Sequence, residues 1–310
     1  MEAAGSGTIT PPQAGWRQLA LLVLLAAIWS SSFMFIKIGV ATIPPATMAA
    51  SRLLLAAAML VAIARVQGYR LPLTARAWGT FAFVGVSGNA VPFTLIAWGE
   101  LEVDSGLAAI LMGVMPVATA LLAHVLVRDE RLTRRRAAGV LLGFSGSVLL
   151  VGISALSGLG AQVAAQLAVV GGALCYAVTT VFVRRYAKLP DVLMAAGAMT
   201  TGALTMIPVA VLVDSPLSLT PSVASILAVV VLGVMSTGFA ALIYFYLIRT
   251  VGAAIFSQVN FLTPAIGVAF GMLFLGERPG ADAWLALALI VFGVWLVTRR
   301  PRAGGGKSAG

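Results

Sequence analysis

The sequence predicts an all-α membrane protein of ten transmembrane helices, arranged as two inverted five-helix repeats. Three observations predict it. The first is composition: of 310 residues, 60% are hydrophobic and 10% charged, against about 25% charged in a soluble domain. The apolar stretches recur along the chain at about 20 residues each, the length that crosses a bilayer. The second is a repeat. Val103 to Pro116, VDSGLAAILMGVMP, returns as Val251 to Pro264, VGAAIFSQVNFLTP. Gly85 and Gly233 share the 148-residue offset of the two prolines; Lys37 and Arg184, Phe35 and Phe182, and Gly146 and Gly293 keep 147. Glu130-Arg131 and Glu277-Arg278 close the two copies. A near-constant offset marks two homologous halves. The third is charge, which alternates from loop to loop and sets orientation.

In chain order, residues 1–16 read as a disordered cytoplasmic N-terminus, Gly/Pro/Thr-rich. The first half occupies 17–153. Its helices are expected at 17–39, after Arg17; 46–66, opened by Pro44-Pro45; 78–99, after basic Arg65, Arg70 and Arg76; 105–127, after acidic ELEVD; and 135–153, after the arginines at 128–136. The first apolar run passes AAIWSSS and continues to Val40, so it reads as an uncleaved span. The second half occupies 154–300. Its helices are expected at 163–184; 192–213, after Arg184, Arg185, Lys188 and Pro190; 222–248, after Asp214 and Pro216; 252–275, after Arg249; and 281–298, after Glu277-Arg278. Residues 301–310 read as a disordered cytoplasmic C-terminus.

With the N-terminus inside, seventeen basic residues fall in inner loops and ends, and only Arg278 falls outside. Glu100, Glu102, Asp104, Asp214, Glu277 and Asp282 face outward. Both termini are therefore expected in the cytoplasm of an inner-membrane protein. Five spans per half return the chain to the opposite side, so the second half is inverted. The loop before Val103 is acidic and that before Val251 carries Arg249, in agreement. Inverted repeats of this kind recur in transporters.

Ten spans in two five-span repeats, each with an apolar-Pro stretch leading to Glu-Arg, resemble the drug/metabolite transporter superfamily, and the EamA family within it. WSSSFMFIK at Trp29 to Lys37 and SRLLLAA from Ser51 carry the resemblance in the first half; CYAVTTVFVRR at Cys175 to Arg185 is a more degenerate second copy. The resemblance implies a secondary transporter working by alternating access. Amino acids or related small metabolites are a common cargo of the family, and its aromatic amino-acid exporters are the nearest branch. A drug, another metabolite or a non-transporting scaffold is the alternative.

Polar side chains inside a span are costly and mark candidate sites. Ser257, Gln258 and Asn260 gather in the second repeated stretch, with Ser257, Asn260 and Pro264 near one face. An amide both donates and accepts, which suits a polar solute. Asn89, Trp98, Tyr244, Tyr246 and the mid-span Trp29 complete the expected substrate-binding set; packing and interfacial anchoring are the competing readings. Lys37 and Arg52 are expected to reach an electropositive outer vestibule, or to snorkel to the interface. Pro116 and Pro264 lie mid-span as expected hinges, or static kinks. Gly139-x-x-x-Gly143 and Gly267-x-x-x-Gly271 are expected packing sites.

One cysteine, Cys175, allows no internal disulfide, and one histidine, His124, leaves no Cys/His metal cluster. No catalytic constellation appears, so no enzyme, cofactor or metal is expected. The net charge of +10 follows from topology rather than nucleic-acid binding. The expected partners are a small-molecule substrate and the bilayer. None of the ten acids falls mid-span; Glu100 comes closest, at the outer end of the third. Transport without obligatory proton exchange is therefore expected.

Overall fold

The computed structural model describes residues 15–126, 134–156, 160–186, 189–244, 246–247, 250 and 259–298. These residues are helical throughout and contain no strand. The helical elements are α1 (Trp16–Val40), α2 (Pro45–Val66), α3 (Ala75–Glu102), α4 (Ser105–Leu126), α5 (Arg134–Leu156), α6 (Gly160–Tyr186), α7 (Asp191–Asp214), α8 (Val223–Tyr244), α9 (Val259–Leu275) and α10 (Ala281–Thr298). Among the described residues, seven of them (α1 to α4 and α6 to α8) are long and apolar enough to cross a membrane. Shorter apolar stretches lie at Ala137–Gly146, Leu262–Leu275 and Ala281–Leu296. Leucines, valines and phenylalanines stand exposed along them, for example Leu54, Leu141, Phe144, Leu204 and Leu273. Such a surface belongs in lipid, and a continuous helix is how a backbone meets its hydrogen bonds there.

Local chemistry sets the ends. Pro45 opens α2, where a missing N–H costs nothing. The Thr74 and Ser222 side chains accept from Ala77 N and Ser225 N at the starts of α3 and α8. Gly276, at φ +67°, allows the sharp exit from α9.

The strongest helix pairings link the two halves. α1 packs on α8 and α9; α6 packs on α3 and α4; α2 lies on α7 and α8; α3 lies on α7; α4 lies on α9; and α5 lies on α10. Renumbering each helix by five maps this set of pairs onto itself. Small residues permit the approach. A Cβ on Gly293 would sit 2.6 Å from Gly139 O and Gly143 N at the α5–α10 seam. One on Gly267 would strike Ala109 where α9 meets α4. Both glycine pairs read from the sequence thus serve close packing.

The two mid-span prolines differ in what lies beside them. α4 breaks at Gly113, between Met112 and Val114. Pro116 has no N–H for the Met112 carbonyl and its ring crowds it, so the break falls one turn before the proline. Pro264 lies inside a helix continuous from Val259. α3 and α8 each contain a π-helical segment, Val86–Ala90 and Leu232–Phe239. Such segments cluster at functional positions.

Candidate functional site

The two π-helical segments lie at equivalent places in the two halves and carry the same hydrogen bond. Asn89 Nδ2 donates to Val84 O at 3.0 Å, and Thr237 Oγ1 donates to Leu232 O at 2.8 Å. Both bonds reach five residues back. They tie polar side chains into the wider turn and leave Asn89 and Thr237 buried in the bundle. Equivalent glycines there meet the opposite half: a Cβ on Gly85, just before the first segment, would strike Thr201 of α7, and one on Gly233, inside the second, would lie 2.7 Å from Leu55 of α2.

Arg52 of α2 reaches the second segment at Thr237 and the ring of Phe93, three residues past the end of the first. Its Nε donates to Thr237 Oγ1 at 2.6 Å, and its guanidinium carbon lies 3.8 Å from the centroid of the Phe93 ring. Tyr176 of α6 and, after it, Glu100 of α3 are close enough to interact with it electrostatically. Arg52 is 7% exposed, and no described carboxylate forms an ion pair with it. A buried cation that costs this much to desolvate and has no carboxylate within ion-pair distance is unusual. Only one of its five donors is spoken for by Thr237. The planar edge that remains matches a carboxylate in bidentate fashion. Next to Thr237, the Ser236 hydroxyl is buried with no partner among the described residues. Nearer the start of α1, Trp29 and Tyr244 pair their rings at 6.2 Å.

A second polar cluster lies at the corner joining α3 to α4. Lys37 Nζ donates to the Glu100 and Val103 carbonyls at 2.8 and 2.9 Å. The carboxylate of Glu277, from the α9–α10 loop, receives Ser105 N at 2.8 Å, Ser105 Oγ at 2.7 Å and Gly106 N at 2.8 Å. An anion on the open N–H groups of a helix start is well placed. Glu277 from the second half thereby caps the repeated stretch of the first. Gly271 and Gly106 leave it room: a Cβ on either would meet Glu277 Oε2. Beside the corner, a cavity of about 170 Å³ is lined by Glu102, Val103, Asp104, Leu107, Gln162 and Gln166.

The structure redistributes the residues read from the sequence. Arg52 does not snorkel or face a vestibule; Thr237 and Phe93 hold it inside the bundle. The Lys37 ammonium, half-buried, is engaged by two backbone carbonyls at the α3–α4 corner. Asn89 is buried near the centre, and Trp29 pairs with Tyr244. Trp98 and Tyr246 stand 45% and 40% exposed on the outside of the bundle, as interfacial anchors do, and do not join the others. Ser257 and Gln258 lie outside the described residues, as does the side chain of Asn260. Glu100 is where the sequence puts it, near the end of α3, but it is completely buried. Thr237, Phe93 and Tyr176 were not read as partners of Arg52; the signal was there for Thr237, which the repeat pairs with Asn89.

Comparison with known proteins agrees with this architecture. The EamA-like transporter family matches twice, over residues 16–152 and 163–299. YedA, an uncharacterised inner membrane transporter of Escherichia coli K12, is 28% identical over 278 residues, covering 89% of each chain. A protein of Streptantibioticus cattleyicolor, named as a probable terminal-alkyne amino-acid exporter, is 30% identical over 281 residues, covering 90% of this chain and 92% of its own. A solved crystal structure superposes with a TM-score of 0.66 over 91% of this chain and 97% of that one; at 21% identity it speaks for the fold alone. The family and its relatives make this protein a membrane transporter of small molecules and not an enzyme. By two family matches that together span nearly its whole length, the chain belongs to the EamA-like transporter family.

Proposed function

We propose that this protein exports amino acids, or closely related metabolites bearing a carboxylate, across the inner membrane by alternating access. The observation that carries the reading is Arg52: a buried guanidinium at the centre, held by residues of both halves and paired with no carboxylate among the described residues. The α-carboxylate of the solute completes that ion pair, and the π-helical Asn89 and Thr237 flank it. The paired rings of Trp29 and Tyr244 contribute to the solute site, and Ser257, Gln258 and Asn260 stay in the proposed substrate-binding set. The amino-acid exporter among the relatives supports the cargo class. Transport runs down the solute's own gradient, without obligatory proton exchange.

The two halves, 17–153 and 154–300, are inverted five-span repeats with both termini in the cytoplasm. The half-to-half pairing of helices supports this, as does the loop charge asymmetry. Pro116 and Pro264 are the hinges about which the halves bend.

Purified protein in liposomes, preloaded with unlabelled amino acids and given the labelled solute outside, is expected to show counterflow. No counterflow for any amino acid would refute the cargo assignment. Orientation is tested separately. Glu102 and Thr250 are 148 residues apart and therefore equivalent. Single cysteines there, in a Cys175→Ala background, are expected to react from opposite sides of the membrane. Reaction of both from one side would refute the inversion.

A further inference from the structure

Glu100 is used by nothing described so far. It is fully buried, and among the described residues neither carboxyl oxygen has a hydrogen-bond partner. Its backbone carbonyl receives Lys37, but its carboxyl group receives no donor. An ionised carboxylate left without donors in a low-dielectric interior costs several kcal/mol. The groups that act on it are few. Lys37 of α1 and Arg52 of α2 are the cations, and Glu277 of the α9–α10 loop is an anion. Lys37 is committed to two carbonyls and Arg52 to Thr237. On the α6 side the preceding residue, Gly99, rests against Ala165 and Val169, and the neutral Gln166 lines the nearby cavity together with Glu102 and Asp104. Glu277, in turn, is fixed close by through its three bonds to Ser105 and Gly106.

We propose that Glu100 is a proton-binding site linked to closure of the outer side of the carrier. With the Glu277 cap in place, Glu100 holds a proton. When the cap leaves Ser105 and Gly106, water enters from the neighbouring cavity. The Glu100 O–H bond then breaks, its proton passes to water as hydronium, and the carboxylate left behind pairs with Lys37. Closing reverses each step. A proton fits better than a metal ion: among the described residues no three Asp, Glu, His or Cys side chains converge, and the Lys37 ammonium already stands beside the site. One turn deeper in α3, Ile96 and Ala97 belong with Phe33 to the apolar core. The proton therefore enters and leaves by the outer side, and closure is proton-linked without net proton transport. The proposal rests on the alternating-access reading above.

The sign follows from linkage. The closed state binds one more proton than the open one, so it is favoured at low external pH and lost as pH rises, by at most about tenfold per pH unit. Asp104, at the start of α4, is the confounding group. Partial burial first, and the Glu277 carboxylate second, raise its carboxyl above the usual range, against Lys37. It titrates in the same direction, so Asp104→Asn is the control.

The experiment reads outer opening directly and needs no substrate, so it stands even if the cargo assignment fails. Ile110, 1% exposed in α4, is replaced by cysteine in a Cys175→Ala background and labelled from outside with an impermeant maleimide over about pH 5 to 8. Parent and Glu100→Gln are compared at each pH, which cancels the thiol's own titration. Labelling of the parent is expected to climb relative to Glu100→Gln as pH rises, and the neutral variant to stay closed. Glu100→Asp and Asp104→Asn are expected to keep the climb. An unchanged parent-to-Gln ratio across pH, or loss of the climb in Asp104→Asn alone, would overturn the proposal. Solute accumulation driven by an imposed pH gradient, and abolished by Glu100→Gln, would overturn its one-sided proton path.

Discussion

Lys37 and Arg52 are both cations set within apolar helices, one on α1 and the other on α2. The Lys37 ammonium is a compact point charge, and two carbonyls at the α3–α4 corner occupy it. Arg52 gives one N–H to a hydroxyl and its flat face to a phenyl ring. The first arrangement closes a corner; the second leaves a charged edge open. An embedded cation is thus not by itself a site. What separates the two is how much of the donor set the protein has already used.

The largest effect should come from Arg52. Arg52→Gln keeps a donor for Thr237 but removes the charge, and amino-acid flux in liposomes is expected to fall at least about tenfold, the equivalent of roughly 1.4 kcal/mol of lost carboxylate pairing. Arg52→Lys is expected to restore little, since an ammonium cannot form the planar fork. Folding, followed by monodisperse elution in detergent, should persist in both.

Lys37→Met should behave in the opposite way. It leaves the Glu100 and Val103 carbonyls without their shared donor, and thermal unfolding in detergent is expected to show a loss of about 1–3 kcal/mol. The solute KM should stay near that of the parent. A large rise in KM with unchanged stability would erase the distinction between the two cations.

The sequence made the frame legible and the wiring less so. Most helix limits followed from apolar runs and prolines to within a few residues, because a bilayer imposes length on a span; the expected start at 252 lies outside the described residues. The 148-residue offset of the repeat makes Asn89 and Thr237 equivalent positions. Side-chain direction was not legible. Arg52 and Lys37 were both expected to reach outward, because a long basic side chain near a helix end usually snorkels. Which of them turned inward depended on Thr237 and Phe93, distant in sequence and brought together by α2 crossing α3 and α8. Glu100 was placed at the right depth but assumed wet. Its burial comes from α6 packing on α3 through Gly99, a contact no local pattern announces. Nor did the acid-Arg motif reveal that Glu277 caps the other half's helix, because a cap of that kind joins residues 171 and 172 positions apart.

The smallest effect is expected at Trp98. It is exposed on the bundle surface, and Trp98→Leu should leave both flux and stability within about 0.5 kcal/mol of the parent. A loss of flux comparable to that of Arg52→Gln would return Trp98 to the solute path.

The account turns on whether the Arg52 guanidinium meets the solute's carboxylate. The direct measurement is competition in counterflow between an amino acid and its methyl ester, which keeps size and amine but lacks the anion, in parent and Arg52→Gln proteins. The parent should prefer the free acid by about tenfold or more, and the variant should lose that preference while remaining folded. Equal discrimination in the two proteins would contradict the assignment.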